Sequence, residues 1–88
     1  MDIMKGKIRE ILNKIRWNDV DNFQDYKILY IHRGAPNDQK EVNYSLIIDI
    51  TASFFVYQDD LLDEPTYIPF HRILEIKNVK KNEILWVK

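Results

Sequence analysis

The sequence predicts an α+β fold: an N-terminal amphipathic helix packed on a four- to five-stranded, mainly antiparallel and partly rolled sheet. Three observations predict it. The start of the chain repeats apolar residues at helical spacing. The remainder is a series of β-branched and aromatic runs separated by turn residues. The length of 88 residues suffices for one core and is too short for two, so residues 1–88 read as a single domain.

Ile8, Ile11, Leu12 and Ile15 stand at i, i+3, i+4 and i+7, with Lys7, Arg9, Glu10, Asn13 and Lys14 between them. That is the period of a helix that buries one stripe, and it predicts a helix over residues 5–16. Trp17-Asn18-Asp19 ends it, and Asp21, Asn22 and Asp25 mark a polar connection. Residues 26–33 (YKILYIHR) carry apolar groups on both parities and read as a central strand covered on both faces. Gly34, Pro36, Asn37 and Asp38 follow with turn chemistry. Residues 42–50 alternate apolar and polar side chains and predict one half-buried strand, with residues 51–57 (TASFFVY) as another. Asp59, Asp60, Asp63 and Glu64 before Pro65 read as an exposed loop. Residues 67–77 (YIPFHRILEIK) predict a long strand, residues 78–83 a turn and residues 84–87 a short last strand, the two strands forming an antiparallel hairpin.

Composition narrows the chemistry. There is no cysteine, so disulfides, thiolate metal sites and thiol nucleophiles are excluded, and an intracellular, cytoplasmic setting is favoured. The first residues are charged and no apolar run follows, so neither a signal peptide nor a membrane span is expected. Net charge is −1, which argues against bulk attraction to long duplexes. The charge is uneven, at +3 over residues 1–16, −7 over 17–64 and +3 over 65–88. If the two ends pack together, a local basic surface forms on a neutral protein; the alternative is a solvated surface of mixed charges.

Two dipeptides, His32-Arg33 and His71-Arg72, are the most informative polar features. Histidine as a residue type titrates near neutrality and can donate to a phosphate or move a proton, while a guanidinium grips a phosphate bidentately. Each also has a structural reading. On a flat strand, neighbouring side chains point to opposite faces, which puts His71 on the polar face with Glu75 and Lys77, and Arg72 on the apolar face. There Arg72 needs a partner, either a carboxylate such as Asp49 or a bound phosphate. Arg33 closes its strand before Gly34, where a ligand can come close to backbone. Tyr30, Tyr67 and Trp17 are available to stack on a base; equally, Trp17, Phe54, Phe55 and Trp86 are the largest apolar bodies and suit a core, with Phe55 and Trp86 favoured there. Two histidines and scattered acids give no metal-ligand spacing, and the acidic stretch lacks the pattern of a calcium loop. No metal and no cofactor is expected.

Tyr30-Ile31-His32-Arg33, Tyr67-Ile68-Pro69-Phe70-His71-Arg72-Ile73 and Trp86, with the helix closing on Ile15-Arg16-Trp17, form a combination that resembles the RNA cyclic group end recognition domain family of small, mainly archaeal proteins. The resemblance spans nearly the whole chain, and Ile-Pro-Phe-His-Arg-Ile is its most specific stretch. The family more often has Asp-Arg at the first pair, so Arg33 matches and His32 departs. The resemblance implies binding of RNA ends bearing a terminal or cyclic phosphate, in RNA repair or processing.

The leading expectation is therefore a non-catalytic module for RNA termini, with Arg33 and Arg72 on the phosphate, His71 adding a hydrogen bond, and Tyr67 or Tyr30 stacking the terminal base. One rival is an RNA phosphodiester-cleaving enzyme with His71, and His32 beside it, as acid and base. Another is an interaction module that meets a protein partner or a second copy. The structural question is sharp. Parity splits each dipeptide across a flat strand, so a shared site requires a bulge, a strand end or strong curvature.

Overall fold

The computed structural model describes residues 3–61 and 63–88. The chain opens with helix α1, Ile3–Asn18, whose apolar stripe of Ile8, Leu12 and Ile15 is buried. A short 3-10 segment, Val20–Asp25, leads into strand β1, Tyr26–Ile31. Six further strands follow among the described residues: β2 (Gln39–Asn43), β3 (Ile47–Ile50), β4 (Phe54–Tyr57), β5 (Thr66–Pro69), β6 (Ile73–Asn78) and β7 (Glu83–Val87). They form two antiparallel sheets, one of order β2-β1-β6-β7 and one of order β3-β4-β5. The α+β class and the antiparallel pairing read from the sequence are present, and the β6-β7 hairpin pairs Ile76 with Trp86 and Asn78 with Glu83.

The difference lies in segmentation. Residues 42–50 do not form one strand, and neither do residues 67–77. Each run is broken by a one-turn 3-10 segment, Tyr44–Leu46 in the first and Phe70–Arg72 in the second, at which the chain leaves one sheet and enters the other. The two turns are built alike. Each begins with a buried aromatic, Tyr44 or Phe70, and each is closed by a bond from the next strand's first N–H, Ile47 to the Tyr44 carbonyl and Ile73 to the Phe70 carbonyl. The aromatic drives the break, because burying a ring contributes more than one regular ladder bond. Tyr44 also donates its hydroxyl to the Leu12 carbonyl at 2.6 Å, tying the first turn to the helix, and α1 packs on the Phe70–Arg72 turn.

The core between α1 and the sheets contains Ile28, Tyr30, Phe55, Tyr57, Phe70, Ile73 and Ile76, all nearly inaccessible. β1 buries only Tyr26, Ile28 and Tyr30; Lys27, Leu29 and Ile31 face outward and are half-buried, so this strand is not covered on both faces. The reason is polar: Glu41 bridges Lys27 and Lys77, each at 3.3 Å, on that outer face, and Lys77 reaches Glu75 at 3.7 Å. Phe55 is a core residue and Trp86 packs partly against the core, whereas Trp17 is 78% exposed at the end of α1. No described helix is long and apolar enough to cross a membrane.

Candidate functional site

β1 and β6 are antiparallel neighbours, and Tyr30 is paired with Ile73. The chain leaving β1 at His32-Arg33 and the chain entering β6 at His71-Arg72 therefore lie at the same end of the larger sheet. All four side chains are exposed. β1 stops at Ile31, and the backbone then folds into a tight loop. His32 N–H donates to the Asp38 carbonyl at 2.8 Å, Ala35 N–H to the His32 carbonyl at 3.2 Å, and Asp38 N–H to the Ala35 carbonyl at 2.8 Å. Gly34, with φ +94°, supplies a backbone conformation that side chains rarely adopt, and its N–H meets the Asp38 carboxylate at 3.3 Å. The His32 ring stands perpendicular to the Tyr30 ring, with centroids 6.2 Å apart.

On the other side, the Phe70–Arg72 turn leaves both His71 and Arg72 exposed while Phe70 is held in the core. Arg72 is thus not on an apolar face, because the 3-10 turn abolishes the strand alternation that would put it there. The ion pair with Asp49 is not formed: the Asp49 carboxylate accepts from the Ile50 N–H at 2.9 Å. Among the described residues, neither Arg33 nor Arg72 takes part in an ion pair. The strand end that a shared site demanded is present on both sides.

Two tyrosines part company here. Tyr30 is 1% exposed and shares a 2.7 Å hydroxyl contact with Tyr57 in the core, so no base can stack on it. Burial, then the Tyr57 hydroxyl, raises its phenol well above the ordinary range. The strand parity that buries Ile28 also buries Tyr30. Tyr67 is 61% exposed on β5, with its ring 5.5 Å from that of Phe54. Sequence reasoning missed Lys88, whose Nζ donates to the His71 carbonyl at 2.8 Å. Its signal was the hairpin itself, since pairing residues 84–87 with residues 73–77 brings the chain's last residue back to the start of β6.

The opposite end of the sheet is different in kind. There a groove of about 540 Å³ runs between α1 and β7, with Lys7, Lys14 and Lys81 set against Glu10, Asp19 and Glu83. Tyr26 donates its hydroxyl to Asp19. Hydrogen bonds from Asn22 and Tyr26 hold the Asp19 carboxyl below its usual range, while burial, then Asp19, raises the Tyr26 phenol. This groove is lined by lysines and acids in equal number, whereas the His-Arg end carries two arginines that take part in no ion pair among the described residues. Among the described residues, no group of three or more potential ligands could hold a metal ion.

The family model of the MJ1316 RNA cyclic group end recognition domain matches residues 4–88. The chain belongs to this family. Its relatives include a UPF0248 protein of Methanococcus vannielii, 44% identical over 81 residues that make up 92% of this chain and 90% of the relative. A UPF0248 protein of Methanococcus maripaludis is 47% identical, over 92% of this chain and 97% of its own. UPF0248 protein MJ1316 of Methanocaldococcus jannaschii is 38% identical, over 92% of each chain. Within the matched residues, Ile68 to Ile73 span the end of β5, the 3-10 turn and the first residue of β6.

Proposed function

We propose that this chain binds the end of a single RNA strand through a terminal or cyclic phosphate, in RNA repair or processing. Arg33 and Arg72 form the anion clamp, and His71 adds a hydrogen bond. Tyr67 offers an exposed ring to the terminal base. The observation that carries the reading is the arrival of both His-Arg pairs at one end of the paired strands β1 and β6, all four side chains exposed and, among the described residues, neither arginine in an ion pair. An arginine with an unoccupied fork matches a phosphate in geometry and charge. The family's name points to the same ligand.

The test is a binding titration with three short RNAs identical except for a 3′ hydroxyl, linear phosphate or 2′,3′-cyclic phosphate. Tighter binding of the phosphate-bearing ends by tenfold or more supports the reading, and indifference to the end group overturns it. A second reading follows from His32 and His71 reaching the same end. With a cyclic phosphate between two imidazoles, one can take a proton from a water attacking phosphorus while the other protonates the ribose oxygen that leaves it. A bell-shaped pH–rate profile lost in His71→Ala supports that reading, and absence of turnover across pH removes it.

A further inference from the structure

Lys88 follows the outer strand β7 at the end that carries both His-Arg pairs, and it makes two bonds to β6 and the turn before it. Its backbone N–H donates to the Leu74 carbonyl at 2.9 Å, extending the β6-β7 ladder beyond Val87. Its Nζ donates to the His71 carbonyl at 2.8 Å. That carbonyl lies in the middle of the Phe70–Arg72 turn, whose own closing bond uses the Phe70 carbonyl. An ammonium carries three donors, so the contact uses one and leaves two, with the full charge, beside His71 and Arg72. None of the ion pairs among the described residues includes Lys88.

We propose that Lys88 is a positioning residue and the third fixed cation of the RNA-end site. It pins the turn so that His71 and Arg72 are presented on one side, and it adds its charge to that of Arg33 and Arg72 against the bound phosphate. The proposal rests on the phosphate-binding reading above. It extends that reading by assigning a role to a residue that follows a different strand, outside both dipeptides. Asp38, whose carboxylate meets the Gly34 N–H at 3.3 Å, is the acid in the adjoining loop, and the lysine offsets its repulsion of an incoming anion.

Three variants separate the two roles. Lys88→Met keeps the length and removes donor and charge, Lys88→Gln keeps a donor without charge, and Lys88→Arg keeps both. The three RNAs above are titrated across a salt series, and His71 and Arg72 are followed by NMR in the free protein. For Lys88→Met, affinity for phosphate-ended RNA should fall about tenfold while hydroxyl-ended RNA is unaffected. The log–log salt slope should shrink by about 0.7 for the loss of one ionic contact to single-stranded RNA, and the His71 and Arg72 signals should move. Lys88→Arg should restore all three readouts, and Lys88→Gln the NMR signals alone. Unchanged affinity and slope in Lys88→Met overturn the cation role, and unmoved signals overturn the pinning role. If the wild-type protein ignores the end group, the phosphate reading falls, and the NMR comparison still decides whether Lys88 sets the turn.

Discussion

Arg33 and Arg72 each emerge where regular strand bonding stops, one just past β1 and the other just before β6. At such places the backbone no longer dictates the alternation of faces, and a guanidinium fork can meet an anion from the solvent side. In the proposed site each arginine makes a charge-assisted bond of roughly 1.5–3 kcal/mol. Arg72→Ala and Arg33→Ala should therefore weaken binding of phosphate-ended RNA by about ten- to a hundredfold. Both residues are exposed, so stability should change by no more than about 0.5 kcal/mol. Parallel binding and denaturation curves check this, and a matching loss of stability would move the residue into the scaffold. Tyr30 makes the complementary case. Removing its hydroxyl in Tyr30→Phe leaves the buried Tyr57 oxygen without its 2.7 Å partner, which should cost about 1–2 kcal/mol and leave RNA affinity unchanged. A defect confined to RNA binding would return Tyr30 to the site. The sequence showed the aromatic character of Tyr30 and Tyr67 equally. It did not distinguish them, because residues 26–33 are apolar on both parities; only the fold does, where burial along β1 alternates strictly from Tyr26 onward.

The 3-10 turns explain why some elements were legible in the sequence and others were not. Helix α1 and the pairing of β6 with β7 follow from local periodicity, because the helical pattern runs unbroken and the turn after Asn78 is short. Residues 42–50 keep their apolar alternation across the break at Tyr44, so the pattern reads as one strand although Val42 belongs to one sheet and Ile50 to the other. Local marks of the break exist: the Asn43 carboxamide accepts the Ser45 N–H at 2.9 Å, and Pro69 precedes Phe70. Neither mark identifies a change of sheet, since that depends on the helix arriving over the turn. The anchoring rings can be tested directly. Phe70→Ala empties a fully buried site and should cost about 3–5 kcal/mol, measured by urea denaturation. RNA binding should weaken at conditions where the variant remains folded, because the turn bearing His71 and Arg72 has lost its anchor. Tyr44→Phe keeps the ring and loses only the bond to Leu12, and should cost about 1 kcal/mol. A loss below about 1 kcal/mol in Phe70→Ala would show that the ring does not fix the turn.

Across the whole molecule, charge is sorted by the fold more than by the sequence. The basic segments at the two ends of the chain do come together, since α1 packs on the Phe70–Arg72 turn and Lys88 bonds to His71. In the groove by Tyr26, by contrast, lysines from those same segments face acids, so a tally along the chain could not locate the surplus. Acid titration should act on the paired charges and therefore on stability. Partial burial pushes the Glu41 carboxyl up, but hydrogen bonds from Lys77 and Lys27 outweigh it, and the carboxyl is held below its ordinary value. Asp19 is lowered as well, by Asn22 and Tyr26. A carboxyl whose folded value lies below its unfolded value stabilises the protein above about pH 4, and that contribution disappears as pH falls through the folded value. The thermal midpoint should therefore be flat from about pH 7 to 5 and decline below about pH 4. Glu41→Gln should lower the plateau slightly and flatten the decline. The effect is small because Glu41 is about one-third exposed and solvent screens its two lysines. A midpoint that rose on acidification through this window would contradict the sign of both shifts, and would mean that these carboxylates repel their surroundings instead of being held by them.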